Sequence, residues 1–136
     1  MSVGEDYKKI VFIDDDKELV NIYSSILAQK NLSDYLIHFE NAREGLEYLK
    51  GIRNKEELPN YILLDLYMPD MSGFKFLEDF EHKIKQKDSI EIYVCTSSRK
   101  KDDRNKVMKY PFVSAYLEKP LPGDFLELLI RDHTHQ

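Results

Sequence analysis

Five residues with chemically useful side chains stand at the ends of short apolar runs. Asp14 and Asp15 follow Ile10-Val11-Phe12-Ile13, and Asp65 follows Tyr61-Ile62-Leu63-Leu64. Thr96 closes the run from Ile90, and Lys119 comes just after Val113 to Leu117. Brought to one place, the three carboxylates would repel, and one or more of them would hold its proton more tightly unless a cation compensated. Hard oxygen ligands with open positions suit Mg²⁺ (or Mn²⁺), an ion that keeps several waters and often meets phosphate. Lys119 would add a point charge and Thr96 a hydroxyl donor to the same phosphoryl oxygens. Such a set could form, hold and sense a phosphoryl group on Asp65. Taken singly, each part has a plainer reading: Asp65 as the start of a turn, Asp14 to Asp16 as an acidic helix N-terminus, Thr96 as a polar strand end and Lys119 as a surface lysine.

The elements that must position these residues follow from the apolar pattern. Ile10–Ile13 and Tyr61–Leu64 are short, unbroken apolar runs, the pattern of strands buried on both faces. Tyr35 to Phe39, Ile90 to Thr96 and Val113 to Leu117 give three more strands. Between them, Leu19, Val20, Ile22, Tyr23, Ile26 and Leu27 fit one helical face, and Leu46, Tyr48 and Leu49 another. Asn41 with Glu44 three residues on resembles a capping box. Phe74, Phe76, Leu77 and Phe80 recur at helical spacing after Ser72-Gly73; core packing accounts for them, with Met71 and Tyr61, better than a ligand box does. Lys83 to Asp88 reads as a solvated charged stretch. Lys100 to Tyr110 reads as a charged helix anchored chiefly by Val107 and Met108, hence weakly held. Phe125, Leu126, Leu128, Leu129 and Ile130 form a last short helix. Strands alternating with helices predict an α/β fold, a doubly wound parallel sheet of five strands. In such a sheet the carboxyl ends of the strands share one edge, where ligands bind.

Composition narrows the function classes. A chain of 136 residues predicts a single domain, here residues 8–131, with flexible ends at 1–7 and 132–136. A net charge of −5 argues against a nucleic-acid footprint, which needs a basic face. No apolar stretch reaches the length of a membrane span, and Met1 to Tyr7 lacks a signal-peptide core. The lone Cys95 excludes an internal disulfide and fits a reducing compartment, so a cytoplasmic location is expected. His133 and His135 lie in a polar tail and are not expected to bind metal. No linker or second composition regime announces an output domain, so a stand-alone module is expected.

The pieces Phe12-Ile13-Asp14-Asp15-Asp16, Leu64-Asp65-Leu66-Tyr67-Met68-Pro69-Asp70-Met71-Ser72-Gly73, Val94-Cys95-Thr96-Ser97 and Tyr116-Leu117-Glu118-Lys119-Pro120 occur in this order over residues 8 to 131. In this the chain resembles the response-regulator receiver family of two-component signalling. The resemblance implies a flavodoxin-like (CheY-like) fold with strand order 2-1-3-4-5. It implies that Asp65 accepts a phosphoryl group from a sensor histidine kinase or a histidine phosphotransfer protein. Asp14, Asp15, Asp65 and the backbone carbonyl of Tyr67 would hold Mg²⁺. Lys119, joined to Pro120 by a cis bond, would contact the phosphoryl group. Thr96 would move toward it and Tyr116 would follow inward. The fourth helix, the last two strands and the fifth helix would then change shape for a downstream protein partner or a phosphorelay.

One position departs from expectation. Tyr67, two residues past Asp65, is bulky, and with Ser98 it borders the family's water route to the acyl phosphate; it is expected to slow water and tune phosphate lifetime. Two rivals remain at this level. A haloacid-dehalogenase-type phosphatase also uses Asp-x-Asp, which Asp14-Asp15-Asp16 contains, but Lys17-Glu18 and the late Lys119-Pro120 do not fit its pattern. A receiver-shaped binding module that is never phosphorylated would not need the full set of acids, Thr96 and Lys119.

Overall fold

In the computed structural model, which describes residues 7–132, five parallel strands form one sheet in the order β2-β1-β3-β4-β5. The strands are β1 (Ile10–Ile13), β2 (Leu36–Phe39), β3 (Tyr61–Leu64), β4 (Glu91–Thr96) and β5 (Val113–Glu118). The helices are α1 (Lys17–Gln29), α2 (Ala42–Gly51), α3 (Gly73–Lys83), α4 (Lys101–Met108) and α5 (Phe125–Ile130). β1 and β3 are buried at every position, as their unbroken apolar sequences require, and they occupy the interior of the sheet. β2 and β5 take the edges, and their sequences admit Ser and His.

Alternate residues of each strand feed two cores, because successive side chains point to opposite faces. Val11, Ile13, Ile62 and Leu64 pack with Leu46 and Leu49 of α2, Phe76 and Phe80 of α3, and Val107 of α4. Ile10, Phe12, Tyr61 and Leu63 pack with Val20, Tyr23 and Leu27 of α1 and Leu126, Leu129 and Ile130 of α5. Tyr61, Met71, Phe76 and Phe80 are core residues, as expected.

The helix ends follow local chemistry. Asp16, Asn41 and Ser72 each accept a backbone N–H from the first turn of α1, α2 and α3, and Asn41 also bonds Glu44 through its amide. α1 stops where Asn31 adopts φ 61°, with Leu32 N–H bonding Leu27 O and Asn31 N–H bonding Ala28 O.

Several sequence expectations need correction. Ile22 is 49% exposed, because the packed face of α1 runs through Val20, Tyr23 and Leu27 and the helix turns Ile22 away from it. Ser33–Tyr35 is a 3₁₀ turn, so β2 begins at Leu36. Within the charged stretch 83–88, Ile84 is buried and closes α3 through a bond from its N–H to Phe80 O. The flexible ends expected at 1–7 and 132–136, with His133 and His135, lie outside the described residues except at Tyr7, which packs edge-on to Tyr35, and Asp132, which accepts the Tyr61 hydroxyl. No helix among the described residues is long and apolar enough to cross a membrane.

Candidate functional site

Strand register brings the acids together. Ile13 lies opposite Leu64, so the next residues, Asp14 and Asp65, leave the sheet side by side. Asp65 N–H bonds Ile13 O, and Asp14 N–H bonds Phe39 O, which extends the ladders past the last strand residues. Thr96 is opposite Glu118, and Lys119 N–H then bonds Thr96 O. Four strand ends therefore place Asp14, Asp65, Thr96 and Lys119 on one edge. Asp15 lies beside them, exposed at the start of the loop into α1.

The edge is charged, and three of its side chains are buried. Asp14 is fully buried, Asp65 is 7% exposed and Thr96 is 1% exposed. The Lys119 ammonium stands between the first two, 2.6 Å from Asp14 Oδ2 and 3.6 Å from Asp65 Oδ2. Burial pushes the Asp65 carboxyl up to about 6; Lys119 pulls it down, Asp14 pushes it up, and the Leu66 and Tyr67 amides pull it down again. Burial acts to lower the Lys119 pKa, but the Asp14 and Asp65 carboxylates outweigh it, so the ammonium holds its proton more tightly than usual. The peptide bond between Lys119 and Pro120 is cis. Leu121 N–H bonds the Tyr23 hydroxyl, which fastens this loop to α1.

Asp14, Asp15 and Asp65 each offer a carboxylate oxygen, all within 4.8 Å of one another. Asp14 Oδ1 accepts the Asp16 N–H, whereas Oδ2 is buried without a hydrogen bond among the described residues and has the Lys119 ion pair to offset its charge. A buried anionic oxygen in a cluster of hard donors fits a divalent cation such as Mg²⁺. His38 Nε2, 2.7 Å from Asp14 O, fixes the backbone from behind.

Beside the acids lies an open cavity of about 510 Å³ lined by Asp65, Tyr67, Thr96, Ser98, Lys100 and Lys119, among others. Ser98 N–H bonds the Thr96 hydroxyl at 3.2 Å, and the Tyr116 hydroxyl donates to Ser98 O at 3.0 Å. The structure thus brings Asp14, Asp15, Asp65, Tyr67, Thr96, Ser98 and Lys119 to this edge, with Tyr116 bonded to it through Ser98. Two features escaped sequence reasoning. Asp103 of α4 is buried and accepts hydrogen bonds from both Tyr67 and Ser98, which hold its carboxyl below the usual range. Arg99 and Glu118 pair across the loop after β4. An acid in the first turn of a helix is a common signal, and nothing in the sequence marks Asp103 rather than Asp102 as the inward one.

The comparisons with known proteins agree with this geometry. The family model for the response regulator receiver domain matches residues 10–131. The sensor histidine kinase CheAY of Helicobacter pylori is 31% identical over 102 residues, which cover 75% of this chain and 12% of that protein. The chain spans about half the length, or less, of the other curated relatives it matches. Among solved structures, a CheY-like receiver domain protein from Methanospirillum hungatei superposes with a TM-score of 0.70 at 25% identity, over 89% of either chain. The Mn²⁺-bound form of the response regulator Rcp1 superposes at 0.69, also at 25% identity, over 90% of this chain and 88% of that one. A family match over nearly the whole chain, on a sheet whose strand ends converge on one acidic edge, means that this protein belongs to the response regulator receiver family.

Proposed function

We propose that this receiver takes a phosphoryl group onto Asp65 from a phosphohistidine, on a sensor kinase or a phosphotransfer protein, and so switches a surface read by another protein. One observation carries the proposal: the Lys119 ammonium lies between the buried carboxylates of Asp14 and Asp65 at the mouth of an open cavity. In the transfer, an Asp65 carboxylate oxygen attacks phosphorus. The P–O bond forms as the donor P–N bond breaks, and the electron pair returns to the imidazole nitrogen. Asp65 is the phosphoacceptor rather than an enzyme's turnover nucleophile, with slow hydrolysis of the acyl phosphate resetting it. Lys119 neutralises the added oxygens at close range. Asp14, Asp15, Asp65 and the Tyr67 carbonyl would hold Mg²⁺ or Mn²⁺. The cation, when bound, offsets charge on the acids and on the phosphoryl oxygens. Thr96, already at the cavity wall, has a hydroxyl for a phosphoryl oxygen, and Tyr116 and Ser98 would carry its movement to α4, β5 and α5. A cytoplasmic setting suits this chemistry.

Acetyl phosphate or phosphoramidate with Mg²⁺ tests the reading by intact mass. The wild type is expected to gain one phosphoryl group, and Asp65→Asn none. Steady hydrolysis of a generic phosphoester, lost on Asp14→Asn but kept on Asp65→Asn, would instead favour the phosphatase reading. A wild type that gains nothing from either donor would leave a binding module.

A further inference from the structure

The Tyr67 ring, at the mouth of the cavity that opens onto Asp65, is fixed from three directions. Its hydroxyl donates to Asp103 Oδ2 at 2.5 Å, Phe74 meets it edge-on with centroids 5.9 Å apart, and the Lys100 ammonium lies 5.7 Å over its face. The same Asp103 oxygen accepts the Ser98 hydroxyl at 2.6 Å. Tyr67 comes from the loop after β3, Ser98 from the loop after β4 and Asp103 from α4, so one carboxylate oxygen clasps both rims of the cavity. Asp103 is only 5% exposed in a helix whose other acid, Asp102, faces solvent. A buried carboxylate is retained at a cost unless its hydrogen bonds compensate, and here both bonds go to residues that frame the site.

We propose that Asp103 is a positioning residue that holds the Tyr67 ring and the Ser98 hydroxyl across the entrance to Asp65, and so limits the access of water to the phosphorylated side chain. This inference rests on Asp65 being the phosphoacceptor. Asp103 is not one of the acids clustered with Asp65 and acts through the two hydroxyls. Because both bonds go to one oxygen, an asparagine whose amide oxygen takes that place keeps the clasp, whereas an apolar side chain of similar size breaks it.

The experiment loads the full chain with phosphoramidate and Mg²⁺, removes the donor and follows loss of the phosphoryl group by intact mass. Asp103→Leu is expected to shorten the half-life about threefold or more, and Tyr67→Phe to shorten it in the same sense. The double variant should decay no faster than the faster single variant, and Asp103→Asn should stay within about twofold of wild type. An Asp103→Leu half-life within about twofold of wild type, a lengthened one, effects that multiply in the double variant, or an Asp103→Asn as fast as Asp103→Leu would each overturn the clasp. If Asp103→Leu loses its cooperative melting transition, Tyr67→Phe decides, since it keeps the ring and removes one bond: an unchanged half-life overturns the inference. A wild type that takes no phosphoryl group overturns the receiver reading and the clasp with it, whereas normal loading with an unmoved half-life overturns the clasp alone.

Discussion

At the scale of single residues, Asp65 is held against its own charge. Burial pushes its carboxyl up to about 6 in the metal-free protein, above the value of an unfolded chain, with Lys119 and Asp14 acting in opposite senses on it. The folded state therefore binds this proton more tightly than the unfolded state does. The resulting stabilisation is complete below about pH 4 and is lost as pH rises through about 6. Asp65→Asn removes the penalty. At about pH 7.5 without divalent metal it should be more stable than wild type by about 1–3 kcal/mol, and near pH 4 the difference should vanish. Urea unfolding of both proteins at the two pH values checks the sign; an advantage for the variant that grows toward low pH would contradict it. Gly73 matters for a different reason. A Cβ there would lie 2.4 Å from Asp65 O and 2.8 Å from Leu66 Cα, both backbone atoms that cannot rotate aside. Gly73 N–H also bonds Leu66 O. Gly73→Ala must push the start of α3 off the loop that carries Asp65, at a cost of about 1–3 kcal/mol. Loading of Asp65 should slow as well, which a time course with acetyl phosphate would measure.

Among the elements, α4 has the least to hold it. Val107 is its one fully buried apolar side chain among the described residues, and the helix is otherwise charged or partly exposed. Val107→Ala should cost about 2 kcal/mol and should speed amide exchange of α4 more than that of β3, which is buried along its whole length. Equal acceleration in both would mean that α4 opens only with the whole domain. The weak hold was legible in the sequence, because a run of charged residues has no apolar stripe. Its polar anchor was not, for the same reason: without a stripe the helix has no phase, and the inward position of Asp103 is tied to Ser98 and to Tyr67, the latter 36 residues away. The strands were legible because β1 and β3 are unbroken apolar runs that end abruptly on carboxylates. Alternation of strands and helices gave a parallel sheet, but the order of strands came only with the family resemblance, since periodicity carries no neighbour information. Ile22 and Ile84 mark the same limit from two sides. One apolar residue was assigned to a face that it misses by a single step of α1. The other was hidden among lysines although it closes α3.

Across the whole molecule, a short chain of hydrogen bonds joins the acidic edge to α4 and β5. Thr96 reaches Ser98, and Ser98 reaches both Tyr116 on β5 and Asp103 on α4. Converting an active-to-inactive ratio of 1:99 into 99:1 needs about 5.5 kcal/mol of differential stabilisation. A phosphoryl group on Asp65 that gained two or three charge-assisted bonds, at about 1.5–3 kcal/mol each, would reach that range. Part of it must be spent on rearranging Ser98, because Thr96 cannot turn toward Asp65 and keep its present bond to the Ser98 amide unless Ser98 moves too. Phosphorylation should therefore shift amide exchange along β4, α4 and β5 while leaving β1 and α2 within about twofold, since among the described residues the bonds of Ser98 go to Thr96, Lys100, Asp103 and Tyr116. Mg²⁺ alone should behave differently. At ten times its Kd it should stabilise the fold by about 1.4 kcal/mol through mass action, with the change in exchange centred on the Asp14–Asp15 loop and β3. It should do so less in Asp65→Asn, which lacks one of the three carboxylates. Hydrogen exchange of apo, Mg²⁺-loaded and phosphorylated protein separates the two effects. If Mg²⁺ by itself reproduced the changes in α4 and β5, the cation and not the phosphoryl group would be setting the surface.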